Sequence, residues 1–269
     1  MEGEKNEMSF LGHLEELRWH LVRSAAAIFI IGILLFVFQK EVFNHFLLAH
    51  RKSDFITYQI FCDFFNLFGM DSTFCNVAFT DNLISLKPTQ QLMTAIWSSL
   101  ILGIILAFPY LLWELWRFIS PGLTKKEIKS SRGFMFIASF LFFCGIAFSF
   151  YVIAPISIHF LYNYKISDVI QNNFTLESHI GLVTNMLLGV SVLFELPVLV
   201  YFLTKIGLVT PEFLKTYRKH ALVLVLILAA IITPPDVASQ VIVAIPILVL
   251  YEISIKVSRM VIKKQKKDA

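Results

Sequence analysis

The chain has 269 residues, 57% of them hydrophobic and 16% charged, with a mean hydropathy of +0.72 and a formal net charge of +4. A soluble core of this length cannot hide that much apolar surface, so a soluble globular fold is excluded and an all-α polytopic membrane protein is expected. The first 19 residues are polar and the first apolar run is followed by no small-residue cleavage site. The first span is therefore expected to act as its own insertion signal, with no cleaved leader.

Residues 1–19 carry five acidic and two basic side chains. From Ser9, a candidate N-cap, Phe10, Leu14, Leu17 and Leu21 fall on one helical face, which predicts an interfacial helix leading into span one at 19–38. Residues 39–87 are mixed and charged throughout, and predict a large extramembrane loop. Cys62 and Cys75 both lie in it, separated by 12 residues, and form a candidate disulfide if the loop faces an oxidising compartment. The sequence leaves their pairing open.

Span two is predicted over 88–116, with Pro109 inside it and Trp113 and Trp116 as interfacial residues near its end. A charged connector, 117–132, leads to span three at 133–153, and a second loop runs from Pro155 to His179. Span four, 180–204, bears one formal charge, Glu195, two residues before Pro197. A carboxyl at membrane depth faces a large desolvation cost and is a functional candidate by default. Pro197 removes a backbone donor and frees a carbonyl near Leu193, leaving a polar, bent point in the span.

Two further apolar runs of 15 residues each are separated only by Asp236 in Thr233-Pro234-Pro235-Asp236, a strong helix break. They predict a tight hairpin of two short spans, 217–234 and 237–255, within a single transmembrane domain of residues 1–258, followed by a basic tail, 259–269. Counted toward the two sides of these six spans, with the span ends included, 18 of the 23 Lys and Arg residues fall on the side of both termini and 5 on the other. Both termini are therefore expected in the cytoplasm, and the net positive charge reports topology rather than a nucleic-acid partner.

The chain contains no phosphate-binding glycine loop, no paired Cys or His motif for a metal and no nucleophile elbow, so no cofactor, metal or enzymatic activity is expected. The seven histidines are scattered; His13, His20 and His159 read as interfacial or hydrogen-bonded side chains. What the expected cytoplasmic rim does gather is acid: Glu15, Glu16, Glu114 and Glu127. A carboxylate can accept two parallel hydrogen bonds from one guanidinium, a geometry that suits Arg and not Lys. Against this stands the reading that these acids are merely solvated, with Glu114 paired to Arg117 and Glu127 to Lys125 or Lys126.

Four motifs together resemble one family, TatC, the multi-spanning core of the twin-arginine protein translocase. They are Ser9-Phe10-Leu11-Gly12-His13-Leu14-Glu15-Glu16-Leu17-Arg18, then Ala107-Phe108-Pro109-Tyr110 through Trp116-Arg117-Phe118-Ile119-Ser120-Pro121-Gly122-Leu123 with Glu127. Phe194-Glu195-Leu196-Pro197 and Thr233-Pro234-Pro235-Asp236-Val237-Ala238-Ser239-Gln240 follow. The resemblance implies six spans with both termini inside, in a bacterial inner membrane. It also implies recognition of twin-arginine signal peptides of folded cargo, with transport driven by the proton gradient. It assigns Glu16 and Glu127 to the patch that receives the arginine pair, with Arg18 and Phe118 at its border. It assigns Glu195 to an intramembrane face that meets signal peptide or a partner helix, and Thr233 and Gln240 to docking of single-span TatA- and TatB-type partners; self-association is implied as well. Asp236 reads instead as the cap of span six.

The chain departs from the family pattern at His20, where many members have a basic residue, and in a long first loop with Ala49-His50 where a proline is usual. The competing reading is a proton-coupled secondary transporter with Glu195 as coupling carboxyl. It predicts an inverted repeat, which the sequence does not display.

Overall fold

A segment surrounded by lipid must satisfy its backbone polar groups internally, so the long apolar runs fold as helices. The computed structural model describes residues 10–68, 75, 83–120, 125–167, 169, 172–233 and 237–268. In chain order the helices are α1 (Phe10–Val37), α2 (Gln39–Val42), α3 (Ile56–Leu67), α4 (Gln90–Ile119), α5 (Lys125–Phe148), α6 (Ala154–Asn163), α7 (Leu176–Phe194), α8 (Leu196–Lys205), α9 (Pro211–Thr216), α10 (Arg218–Ile232) and α11 (Val237–Asp268). Among the described residues the extended pairing is a single parallel bridge between Ile84 and Thr175, which ties the entries of α4 and α7 together.

Among the described residues, five helical segments are long and apolar enough to cross a membrane: Leu14–Val37, Gln90–Ile119, Met135–Asn163, Leu176–Lys205 and Ser239–Gln265. α7 is their hub. Its Ile180, Val183, Met186, Leu187 and Val190 are buried against α4 and α5, together with Phe142, Ile153, Val243 and Ile247. A second apolar cluster, Val200, Leu214, Tyr251 and Ile255, packs α8 and α9 on α11. α1 stands at the periphery with only 11% of its span buried, and packs mainly on α4. That contact is a backbone approach: a Cβ added to Gly103 would lie 2.9 Å from the Ile28 carbonyl oxygen and 3.1 Å from the Gly32 nitrogen. Small residues permit this in lipid, where packing rather than water exclusion holds helices together.

Several boundaries differ from the sequence expectation. The interfacial helix and span one are one unbroken helix, α1, because nothing between Phe10 and Val37 interrupts it. Span three does not end before Pro155. A π-helical turn over Ser149–Ile153 leads into α6, where Pro155 sits in the first turn and needs no hydrogen-bond partner. Span four breaks into α7 and α8 at Glu195, with Pro197 in the first turn of α8. α4, in contrast, runs through Pro109 as one helix.

The last two helices, expected as two short spans, are of unequal length. α10 has 15 residues, about 22 Å at the helical rise, and is not among the five segments of crossing length. α11, however, has 32 residues and carries the basic tail as helix. Its charged end is held against α8, where Thr204 Oγ1 donates to Ser258 Oγ at 2.9 Å and Gln265 Nε2 donates to the Lys205 carbonyl at 3.0 Å. Tail and last span are thus one element. Pro234, Pro235 and Asp236, including the expected cap, lie outside the described residues.

The long first loop folds back over one end of the bundle. His50 is fully buried; its ring Nε2 donates to the Phe150 carbonyl at 2.8 Å, and Tyr58 Oη donates to the His50 carbonyl at 2.8 Å. Burial pushes the His50 imidazole down to about 4 and the Tyr58 phenol upward from its ordinary value. On the same loop Cys62 and Cys75 are joined as a disulfide.

Candidate functional site

At the other end of the bundle, Glu16, His20 and Arg23 follow one another at spacings of four and three and share one face of α1. On α4, Tyr110, Glu114 and Phe118 are spaced by four and also share a face. The two faces meet at Glu114, which is 1% exposed. Arg23 Nε reaches both of its oxygens at 3.1 Å, Arg23 Nη2 donates to Oε2 at 3.0 Å, Tyr110 Oη donates to Oε1 at 2.9 Å, and His20 Nδ1 donates to Oε2. Arg23 Nη2 also lies 2.9 Å from His20 Nδ1; since both nitrogens donate to Oε2, this is two donors converging on one acceptor.

Arg117 adds an ion-pair contact at 3.8 Å while its guanidinium covers the Trp113 ring at 4.9 Å. Losing any one arm of such a buried, charge-assisted cluster leaves the Glu114 carboxylate less fully compensated, which makes the cluster a rigid joint between α1 and α4. The reading of Glu114 as a solvated acid paired to Arg117 is therefore corrected: Arg117 is its most distant partner.

His20 links this joint to Phe118, their rings edge-on with centroids 6.0 Å apart. One turn before His20 stands Glu16, half-buried, with Oε2 buried and accepting no hydrogen bond among the described residues. A carboxylate oxygen removed from water without a donor is costly, so the site is poised for one. Arg18, on another side of α1, is exposed and lies over Trp19 at 5.5 Å. The backbone of Glu127 lies in the first turn of α5, and its side chain is outside the described residues, as is the expected pairing with Lys125 or Lys126.

The remaining candidates lie elsewhere. Glu195 occupies the α7–α8 break, and both of its carboxyl oxygens are buried without a hydrogen-bond partner among the described residues. Thr233 Oγ1 donates to the Ala229 carbonyl at 2.9 Å and Gln240 Nε2 donates to the Leu226 carbonyl at 3.0 Å. The Gln240 amide thus joins α11 to α10, and the Thr233 hydroxyl closes the end of α10. Among the described residues no group of three or more His, Cys, Asp or Glu side chains could hold a metal ion.

Sequence reasoning counts Arg23 toward orientation but does not single it out as a site residue. The signal was there: an arginine inside an apolar span, three residues after His20 and seven after Glu16, has to find an acceptor on a neighbouring helix.

The sequence profile described as Sec-independent protein translocase protein (TatC) matches residues 12–246. The Sec-independent protein translocase protein TatC of Blattabacterium sp. subsp. Periplaneta americana is 40% identical over 268 residues, covering 98% of this chain and 100% of that one. The TatC protein of Helicobacter pylori strain J99 is 38% identical over 249 residues, covering 93% and 88%. A crystal structure described as the twin arginine translocase receptor TatC in DDM superposes with a TM-score of 0.70 at 32% identity, covering 90% of this chain and 97% of that one. The chain belongs to the TatC family of Sec-independent protein translocase components.

Proposed function

We propose that this protein is the receptor core of a twin-arginine translocase and binds the arginine pair of a signal peptide at the end of the bundle that holds Glu16. The observation that carries this reading is the buried Oε2 of Glu16, which accepts no hydrogen bond among the described residues, one turn from the His20–Phe118 contact. A guanidinium supplies two parallel donors and is less strongly hydrated than an ammonium, so it fits a half-buried carboxylate better. Glu127 serves as the second carboxylate, with Arg18 and Phe118 at the border of the patch, as the family resemblance implies.

In this reading the chain crosses a bacterial inner membrane six times, with short α10 as the fifth crossing and both termini in the cytoplasm. The excess of Lys and Arg on the Glu16 side supports that orientation. So does the Cys62–Cys75 disulfide at the opposite end, since disulfides persist in oxidising compartments. α10 would match the membrane by thinning it locally. Glu195, whose two oxygens are buried with no hydrogen-bond partner among the described residues, meets a TatA- or TatB-type single-span helix or the signal peptide. Thr233 and Gln240 fix the shape of the α10–α11 face on which such a partner packs. The proton gradient drives transport, and the chain itself performs no covalent chemistry.

The test is binding of a twin-arginine signal peptide and its twin-lysine variant to the purified full chain. Tighter binding of the arginine peptide, weakened by ~1–3 kcal/mol in Glu16→Gln and in Glu127→Gln, supports the reading. Equal binding of both peptides, unaffected by either substitution, refutes it.

A further inference from the structure

α1 is held along its span by little more than α4, and its close backbone pivot is Gly32 against Gly103. Glu16 stands 16 residues from Gly32, a lever of about 24 Å at the helical rise. With that pivot alone, a small change in tilt would move the Glu16 carboxylate by ångströms. The second fixed point is the Glu114 cluster, which grips α1 at His20 and Arg23, within one to two turns of Glu16, and whose own helix presents Phe118 one turn further on.

We propose that Glu114, through Arg23 and His20, is the positioning element of the arginine-binding patch: it sets where Glu16 stands relative to Phe118 and thereby the preference for guanidinium over ammonium. This rests on the receptor reading above. Glu114 itself is buried and fully engaged, so it does not touch the peptide. It acts by orientation. A planar two-donor guanidinium needs a carboxylate in a defined plane and direction, whereas an ammonium is satisfied as a point charge. Displacing Glu16 therefore penalises arginine more than lysine.

The experiment is a double-mutant cycle on the full-length protein in detergent, read as the ratio of twin-arginine to twin-lysine peptide affinity. Variants are Glu114→Gln, the double variant Glu114→Gln/Arg23→Gln, and each of these combined with Glu16→Gln. The double variant removes the Glu114 charge together with that of its main partner, Arg23, while Arg117, the remaining cation, is half exposed and stays solvated; thermal melting checks that it is folded. The expected result is a loss of about tenfold in the arginine-to-lysine ratio, the size of one charge-assisted hydrogen bond. No further loss is expected where Glu16 is already Gln. An unchanged ratio, an equal weakening of both peptides, or the same loss with and without Glu16 would overturn the proposal while leaving the receptor reading in place. Absence of any arginine preference in the parent protein would overturn both.

Discussion

Gly145 of α5 and Ser191 of α7 pack with no room for a side chain: a Cβ on Gly145 would lie 2.6 Å from the Ser191 Cα and 3.0 Å from Phe194 Cβ. Since backbone cannot yield as a flexible side chain does, Gly145→Ala should destabilise the bundle by ~1–3 kcal/mol. Gly133, on the same helix, has nothing within 4 Å of its added Cβ. There Ala should be neutral or stabilising by up to ~1 kcal/mol, from helix propensity alone. In detergent the melting temperature is expected to fall in Gly145→Ala and to hold or rise in Gly133→Ala; an equal fall in both would contradict the packing described.

The loop that covers the opposite end should be acid-sensitive. His50 has a folded value of about 4 against 6.5 when free, so between these limits the unfolded loop binds a proton that the folded loop does not. Its contribution is complete above pH 6.5 and is lost as pH falls toward 4, amounting to at most ~3 kcal/mol. Amide exchange in the loop should quicken over that window, and His50→Gln should flatten the dependence. A loop whose protection is constant from pH 7 to 4 would exclude this role for His50.

The disulfide closes a short segment of the first loop, with a sequence separation of 13 between Cys62 and Cys75. Chain entropy assigns such a closure ~3 kcal/mol, confined to α3 and its neighbourhood. Cys62→Ser/Cys75→Ser should therefore raise protease susceptibility in this loop while leaving the melting of the bundle nearly unchanged. In intact cells after reduction, a membrane-impermeant maleimide should label Cys62 and Cys75 but not Cys144. Labelling only after the cells are opened would reverse the proposed orientation.

Glu195 separates two accounts of the intramembrane carboxyl. As a contact for a partner helix, Glu195→Gln should retain most of the association and Glu195→Leu should weaken it by ~1 kcal/mol, read by co-purification with a TatA- or TatB-type subunit. The pH profile of export should then be unchanged in Glu195→Gln. If that variant instead abolishes export or shifts its profile, the proton-coupled transporter reading gains the support it now lacks.

Much of this was legible in the sequence, and the exceptions have physical causes. Apolar runs place α4, α7 and α8 because lipid enforces helices there; Pro197 signals a bent point near Leu193, and the structure makes it a full break at Glu195. Pro155 misled because a π-helical turn absorbs it, and composition does not report a local change in hydrogen-bond register. The helical tail of α11 was missed because its stability comes from the contacts of Ser258 and Gln265 with α8, not from apolar periodicity. The Glu114 joint went unread for a similar reason. Arg23 and Glu114 lie 91 residues apart, and only the packing of α1 on α4 makes them neighbours.

The central claim, that Glu16 receives the arginine pair, is tested most directly by contact. A signal peptide carrying a photoreactive residue beside its arginine pair should cross-link to the full-length protein within one turn of Glu16 on α1 and of Phe118 on α4. Those adducts should fade with the twin-lysine peptide and in Glu16→Gln. Adducts confined to the first loop or α3, or unaffected by either change, would contradict the account.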